Sequence, residues 1–446
     1  MTPTLRLYGL LVMGGAIATV LEAFAPGDGL FSAPLALMLF FDAVVIVLMF
    51  LDALQVSGKR RAIIQREKLP RLSIGRDNPV TFKVTAPEKP GLQLYGSRLR
   101  LYDRYPAEFD EVSMPLVLTL SAKATQTITY QIFPEKRGVY EWGDLQVQQR
   151  GPLGLAWRSW TVPSAQQVAV YPDLVGLRSL SIRLAIQSTG NVRQRKRIGI
   201  GTEFAELREY AIGDDPRFID WKATARRSAP LVRILEPERE QSLIILLDRG
   251  RLMTANVKGL SRFDWGLNAA LSLALAGLHR GDRVGVGVFD REMQTWIPPT
   301  GGRQHLQHLI ETLTPLQPVL LESDYLGAVT KVATQQHRRA LVVVITDIVD
   351  QTASAELLTA LIRLKSRHLP FCVTLRDPQV DHQAHEFVPA VAAAYSRAVA
   401  LDLLDQRQVA FARLKQGGVL VLDAPANQIT EPLIDDYLRI KAKSRL

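Results

Sequence analysis

At 446 residues, with 47% hydrophobic and 22% charged residues, the chain has the composition of a folded protein too long for one hydrophobic core. Its net charge of +10 is concentrated in two short segments: residues 58–71 hold six basic residues against one acid, and residues 174–202 hold six and no acid. The remainder is near neutral, which excludes a nucleic-acid footprint spread over a folded domain, and the single cysteine, Cys372, excludes an intramolecular disulfide.

Two apolar stretches open the chain, residues 5–24 and 30–51, separated by the turn-like Ala25-Pro26-Gly27-Asp28-Gly29. Each matches the roughly 20 residues a helix needs to cross a bilayer. A cleavable signal would carry more charge before its apolar core than Arg6 alone, and a second span follows at once. Residues 1–56 therefore read as a transmembrane helical hairpin. Asp42, in the middle of the second span, is expected to face the partner helix or water, because a lipid-facing acid is costly. The basic juxtamembrane segment, residues 57–71, carries Lys59, Arg60, Arg61, Arg66, Lys68 and Arg71. Such clusters stay on the cytoplasmic side and attract anionic membrane lipids. The expected location is a bacterial inner (cytoplasmic) membrane with the soluble domains in the cytoplasm.

Over residues 72–174 the pattern turns to short alternating runs bounded by Pro, Gly or Asp, which predicts an antiparallel β-sandwich, either a binding module or a spacer. It ends in the turn chemistry of Arg150-Gly151-Pro152-Leu153-Gly154-Leu155. Residues 175–198 read as a basic linker. Arg193, Arg195, Lys196 and Arg197 have no interleaved aromatics of the kind a single-strand platform needs, so no nucleic-acid partner is expected.

Residues 199–446 alternate strand and helix. Apolar runs at 243–247, 284–289, 341–345, 371–375 and 419–422 alternate with helical patterns at 263–278, 306–313, 325–332, 357–364, 391–414 and 433–440. That succession predicts a doubly wound α/β domain with a parallel sheet. Cys372, inside one of these runs, is expected to be a buried structural thiol. Ligands of open α/β sheets bind beyond the carboxyl ends of the strands, where Asp248, Asp290, Asp347, Asp377 and Asp423 fall. Carboxylates gathered there suit a hard cation, although Asp is equally a strand terminator and helix cap.

An apolar strand ending in Asp248, a following helix and a later strand ending Ile345-Thr346-Asp347 resemble a von Willebrand factor A domain. The resemblance implies a metal site of the pattern Asp-x-Ser-x-Ser. Here Asp248 is followed by Gly250 and Leu252, so both hydroxyls are missing; Asp347 matches the later aspartate and Ser323 loosely matches the threonine. No cofactor is expected beyond weak magnesium at this degenerate site.

A second resemblance rests on residues 199–253. Glu203-Phe204, Leu207-Arg208-Glu209-Tyr210, Gly213-Asp214-Asp215, Arg217, Ile219-Asp220-Trp221-Lys222, Ala225-Arg226 and Glu238-Arg239-Glu240 resemble the signature of the bacterial domain of unknown function fifty-eight family. Arg137-Gly138, Gly151 to Leu155 and Tyr437 to Lys441 fit the same family. The resemblance implies a MoxR-type AAA+ ATPase as partner and an adaptor role; it names no client.

In physical terms, Arg208, Arg217, Lys222, Arg226 and Arg233 interleave with Glu206, Glu209, Asp214, Asp215, Asp220, Glu236 and Glu238. Such density supports either an ion-paired clasp, with Tyr210 and Trp221 seated against the sheet, or a recognition surface of Arg, Trp and Tyr. The leading expectation is a non-enzymatic, membrane-anchored interaction protein. The alternatives are a metal-assisted hydrolase built on Asp214, Asp215, Asp248 and Asp347, and a structural envelope scaffold docking through its sandwich. No phosphate-cradling glycine loop or HExxH pattern is present, and His305 and His308, three apart, read as solvated helix residues.

Overall fold

The computed structural model describes residues 1–24, 33–57, 61–69, 71–86, 97–109, 113–120, 125–190, 203–227, 229–236, 241–348, 354–386 and 391–442. Lys59, Arg60, the 25–29 turn, the Arg193 to Arg197 cluster and Glu238 to Glu240 lie outside these residues. The chain divides into two compact units, Met1–Val170 and Tyr171–Leu446.

The first unit begins with α1 (Leu5–Phe24) and α2 (Ala33–Gln55), both long and apolar enough to cross a membrane. Asp42 lies against α1: a Cβ added to Gly14 would sit 3.2 Å from Asp42 Oδ1, so the acid faces the partner helix. At the foot of α2, the buried Asp52 accepts from the backbone N–H groups of Leu153 (2.7 Å), Leu155 (2.8 Å) and Ala156 (3.1 Å). The residue 150–155 turn is thus an amide cradle for one carboxylate, and Gly151 is required because a Cβ there would collide with Asp52.

Among the described residues nine longer strands follow: β1 (Ile63–Arg66), β2 (Asn78–Thr85), β3 (Ser97–Asp103), β4 (Leu116–Leu120), β5 (Thr125–Ile132), β6 (Gly138–Trp142), β7 (Leu145–Arg150), β8 (Ala156–Val162) and β9 (Gln166–Tyr171). They form three sheets: Thr2–Pro3 with β8, β7, β3 and β4; Leu72–Ser73 with β9 and β6; and β1 with β2 and β5. The β-rich, antiparallel character matches the alternation in the sequence, but the strands divide into three small sheets. A buried cluster joins them, in which Asp103 accepts from Arg66 Nη1 (2.7 Å), the Tyr130 hydroxyl (2.7 Å) and Trp142 Nε1 (3.1 Å). The expectation that residues 57–71 meet lipid headgroups is corrected at Arg66: its side chain is buried on Asp103, and its guanidinium lies 5.5 Å from the Trp142 ring centroid.

The second unit opens with α3 (Leu174–Gly190), where a basic linker was expected. Leu177, Leu180 and Leu184, on one helical face, join the core of the α/β domain, so the first part of that segment is structural. A two-stranded antiparallel hairpin comes next, β10 (Glu203–Glu209) with β11 (Leu231–Glu236), enclosing α4 (Trp221–Arg227).

The main sheet contains β12 (Ser242–Asp248), β13 (Arg283–Phe289), β14 (Met293–Thr300), β15 (Ala340–Thr346), β16 (Leu369–Arg376) and β17 (Leu420–Pro425). Its order is β14-β13-β12-β15-β16-β17, parallel throughout except for the edge strand β14. The helices are α5 (Arg262–His279), α6 (Arg303–Leu313), α7 (Tyr325–Gln335), α8 (Ala355–Leu364), α9 (Pro378–His385), α10 (Val391–Gln416) and α11 (Thr430–Ala442). Alternation along β12 shows the layering. Leu243, Ile245 and Leu247 pack with α3, α5, α6 and α11, whereas Ile244 and Leu246 pack with α7, α8 and α10. Burial on both faces is why these strands read as unbroken apolar runs, each buried Leu or Ile contributing about 1.5–3 kcal/mol.

Candidate functional site

The carboxyl edge of the main sheet carries the aspartates that the strand ends predict, and it buries Asp248, Asp290 and Asp347. Asp248, at the end of β12, is 1% exposed. Its Oδ1 accepts from Ser323 Oγ (2.5 Å) and Gly250 N (2.7 Å), and its Oδ2 from Thr346 Oγ1 (2.6 Å) and the Tyr325 hydroxyl (2.9 Å). Burial pushes the Asp248 pKa up, and these four donors oppose the shift only in part. Burial, with Asp248 beside it, likewise pushes the Tyr325 pKa up, so the Tyr325 hydroxyl stays protonated and donates.

Gly250 explains the missing serine of the A-domain pattern. A Cβ at this position would collide with Ser323 Oγ and come within 2.8 Å of the Leu321 carbonyl. The glycine is the space through which Ser323 reaches Asp248. Leu252 lies in a 3-10 turn, Arg251–Met253, and turns its carbonyl toward Arg262 Nη1 (3.3 Å).

Asp347, just beyond β15, is held by two guanidiniums: Arg262 Nη1 on Oδ2 and Arg407 Nη1 on Oδ1, both at 2.7 Å. Arg262 is placed by local chemistry, since a Ser261/Asp264 capping box starts α5 and makes Arg262 its first residue. Arg407 also reaches the Ile348 carbonyl and, through Nη2, Asp423 Oδ1 at 2.9 Å. Asp423 is further bound by Arg376 Nη1 (3.0 Å) and Thr374 Oγ1 (2.8 Å). Asp290 pairs with Arg249 Nε (2.8 Å); burial works against its charge, but Gln294, the Glu292 N–H and Arg249 outweigh it and hold its pKa down. Asp377 caps α9, accepting from Gln379 N at 2.9 Å.

The magnesium expectation is tested by this donor set. A hard divalent ion draws on oxygens with net negative charge. Asp347 offers both oxygens to guanidiniums, Asp248 offers both to neutral donors, and Gly250 and Leu252 supply no side-chain oxygen. Among the described residues, no three His, Cys, Asp or Glu side chains converge in a way that could hold a metal. The described residues at this edge do not offer the donor set of a magnesium ion. Nor do Asp214 and Asp215 join Asp248 and Asp347: the first two are bound by nearby residues of the 203–236 segment, the second two by residues of the main sheet and its helices. His305 is a further correction. It is buried, with Nε2 at 2.7 Å from the Val284 carbonyl, while His308 is exposed. Cys372 is buried, and burial pushes its thiol up to about 12, as suits a structural residue.

Residues 203–236 are built differently. β10 and β11 pair with Leu207 opposite Arg233 and Glu209 opposite Leu231. The chain turns at Gly213, whose φ of +108° favours glycine. Asp214 accepts from Arg208 Nη2 (2.6 Å) and Ala211 N (2.9 Å), and Asp215 accepts from Arg217 Nη2 (2.7 Å). These bonds hold both carboxyls below the usual range, the Ala211 N–H leading for Asp214 and the Arg217 side chain for Asp215. Asp220 starts α4, accepting from the N–H groups of Lys222 and Ala223 at 3.0 Å, with Arg233 Nε at 3.5 Å.

The seating of Trp221 against the sheet is not observed. Trp221 is 70% exposed and Ile212 fully exposed, whereas Tyr210 is half-buried with its N–H on the Pro230 carbonyl (2.9 Å). Lys222, Arg226 and Arg227 are exposed on the same short helix and make no ion pair among the described residues. Glu209 is exposed as well.

Sequence reasoning missed Arg262, Arg407, Tyr325 and Thr346. Only Thr346 had a local signal, as the neighbour of Asp347; Arg407 lies inside a long helix sixty residues from its partner.

Residues 206–386 match the model of a family described as "Protein of unknown function DUF58". The resemblance read from the motif is borne out over that stretch. Uncharacterized proteins of Mycobacterium tuberculosis and Mycobacterium bovis are 27% identical over 183 residues, which cover 41% of this chain and 57% of theirs. The uncharacterized protein YeaD of Bacillus subtilis is 24% identical over 196 residues, 43% of this chain and 46% of its own. The chain thus spans about half the length of the curated relatives it matches. Among solved structures, the conserved hypothetical protein BatB from Bacteroides thetaiotaomicron aligns with 46% of this chain and 99% of its own, at 15% identity and a TM-score of 0.32. An aerotolerance-related membrane protein from Bacteroides fragilis aligns with 45% of this chain and 99% of its own, at 15% identity and a TM-score of 0.30.

Proposed function

We propose that this chain is a membrane-anchored interaction protein that engages a protein partner through residues 203–236, with a doubly wound, von Willebrand factor A-like domain as their support. The observation that carries the reading is exposure: within that segment Trp221, Ile212, Lys222, Arg226 and Arg227 all stand in solvent. An exposed tryptophan among arginines has the composition of an interface hot spot, and cations without internal partners favour an acidic surface opposite. The family resemblance supplies the partner in this reading, a MoxR-type AAA+ ATPase.

The anchor is α1 and α2, crossing the bacterial inner membrane. Arg61, Lys68 and Arg71 beyond α2 support a cytoplasmic position for both soluble units. A non-enzymatic role is supported by the engagement of Asp214, Asp215, Asp248 and Asp347 in hydrogen bonds and ion pairs within the chain.

The test is co-expression with the MoxR-type ATPase and capture of the detergent-solubilised full chain, with ATP and with ADP. Arg217→Ala combined with Trp221→Ala is expected to reduce capture at least tenfold while the thermal transition stays in place. Undiminished capture by this folded variant would reduce residues 203–236 to an internal clasp. Failure of the unaltered chain to capture the ATPase in either nucleotide state would remove the adaptor reading.

A further inference from the structure

We infer that the Arg407 guanidinium is a built-in cation at the carboxyl edge of the sheet, doing for Asp347 and Asp423 what a bound divalent ion would otherwise do. The inference is independent of the partner-binding reading, since it concerns only the buried edge of the α/β domain.

The geometry is that of a bridging ion. One nitrogen of the fork, Nη1, lies 2.7 Å from Asp347 Oδ1, and the other, Nη2, lies 2.9 Å from Asp423 Oδ1. The Ile348 carbonyl adds a third oxygen. The remaining carboxylate oxygens are also taken, Asp347 Oδ2 by Arg262 and Asp423 Oδ2 by Arg376. Asp347, just beyond β15, and Asp423, within β17, are brought onto one guanidinium, and two such carboxylates would repel each other if left bare in a low dielectric. The planar fork of arginine answers both at once, which a lysine point charge cannot do. The stem of Arg407 runs beside Phe411, with the guanidinium carbon 5.6 Å from the ring centroid, and only 7% of the residue is exposed. A soluble ion would have to displace a buried side chain to enter.

A mechanical consequence follows. Arg407 belongs to α10, so the one charge that bridges both carboxylates also fastens this helix to the ends of β15 and β17. Where an exchangeable ion closes such an edge, the closure depends on ion concentration. Here the cation is part of the chain, and the edge stays closed at any divalent concentration.

The experiment compares thermal unfolding of the full chain in non-ionic detergent, in EDTA and in millimolar magnesium or manganese. The unaltered protein is expected to unfold at the same temperature in all three, within about 1 °C. Arg407→Met, which keeps the apolar stem and removes the charge, is expected to unfold about 10 °C lower in EDTA. Magnesium or manganese should restore at least half of that loss. A saturable rise in the unaltered protein would overturn the inference, as would an Arg407→Met variant that is destabilised yet indifferent to metal. Should Arg407→Met fail to fold in EDTA, Arg407→Met combined with Asp423→Asn removes cation and carboxylate together and is expected to fold without metal. A double variant no more stable than the single one would also overturn the inference.

Discussion

The sheet edge and the 203–236 hairpin use the same two residue types, Asp and Arg, to opposite ends. At the edge, partners come from far along the chain: Arg262 meets Asp347 across 85 residues and Arg407 meets it across 60. These pairs can form only when the domain is folded, and they are buried once formed. In the hairpin, Arg208 meets Asp214 six residues away and Arg217 meets Asp215 two away. Local pairs need no burial, so their outer faces stay in water. The lesson is that dense charge does not by itself mark a binding site. Charges satisfied across the chain are spent on the fold, while a locally satisfied strip keeps an exposed surface for another molecule.

Three experiments sharpen or break this contrast. The largest effect is expected from Gly250→Ser, which supplies one hydroxyl of the Asp-x-Ser-x-Ser pattern. Because the new Cβ would collide with Ser323 Oγ, the variant should lose about 2–3 kcal/mol of stability and gain no magnesium affinity. Denaturant unfolding with and without magnesium reads both; a stable, magnesium-binding variant would show that the edge is not sealed.

A pH series comes next. The folded pKa of Asp248 is raised above 3.8, so the native state holds this proton more tightly than the unfolded chain. Its charge therefore costs stability at neutral pH, and the cost is relieved as pH falls through the folded pKa into the window above 3.8. Asp214 and Asp215 have the opposite sign: their contribution is present above the unfolded value and is lost as pH falls through their lowered pKa values. The unfolding temperature of the unaltered protein should accordingly rise relative to Asp248→Asn between pH 7 and pH 4.5. A gap between the two that does not change with pH would contradict the burial of Asp248.

The smallest effect on stability belongs to Trp221→Ala. With its side chain in solvent, the change should stay within about 0.5 kcal/mol by the same unfolding assay. A loss above about 2 kcal/mol would mean that Trp221 packs in the folded protein, and the strip would then be a clasp.

Much of this was legible from residues alone. The two apolar spans, the strand and helix succession of the α/β domain and the Asp at several strand ends follow from periods of 3.6 and 2 and from turn chemistry, all properties of neighbouring residues. The parts that were not legible depend on distant partners. Residues 174–190 are basic in composition, yet their leucines at positions 177, 180 and 184 make the segment a core helix. Arg66 belongs to a membrane-flanking cluster in the sequence and to a buried Asp103 pair in the fold. His305 reads as a solvated helix residue until Val284 is placed beneath it.

The sequence by itself determined the order of the parts, the composition of the charged strip and the absence of side-chain oxygens at Gly250 and Leu252, because these are local facts. Only the tertiary structure decided what the charges do. It placed Arg407 between Asp347 and Asp423, filled the space at Gly250 with Ser323, and left Trp221 in water. The physical reason is that burial and pairing depend on which segments meet, and segments sixty residues apart carry no local mark of their meeting.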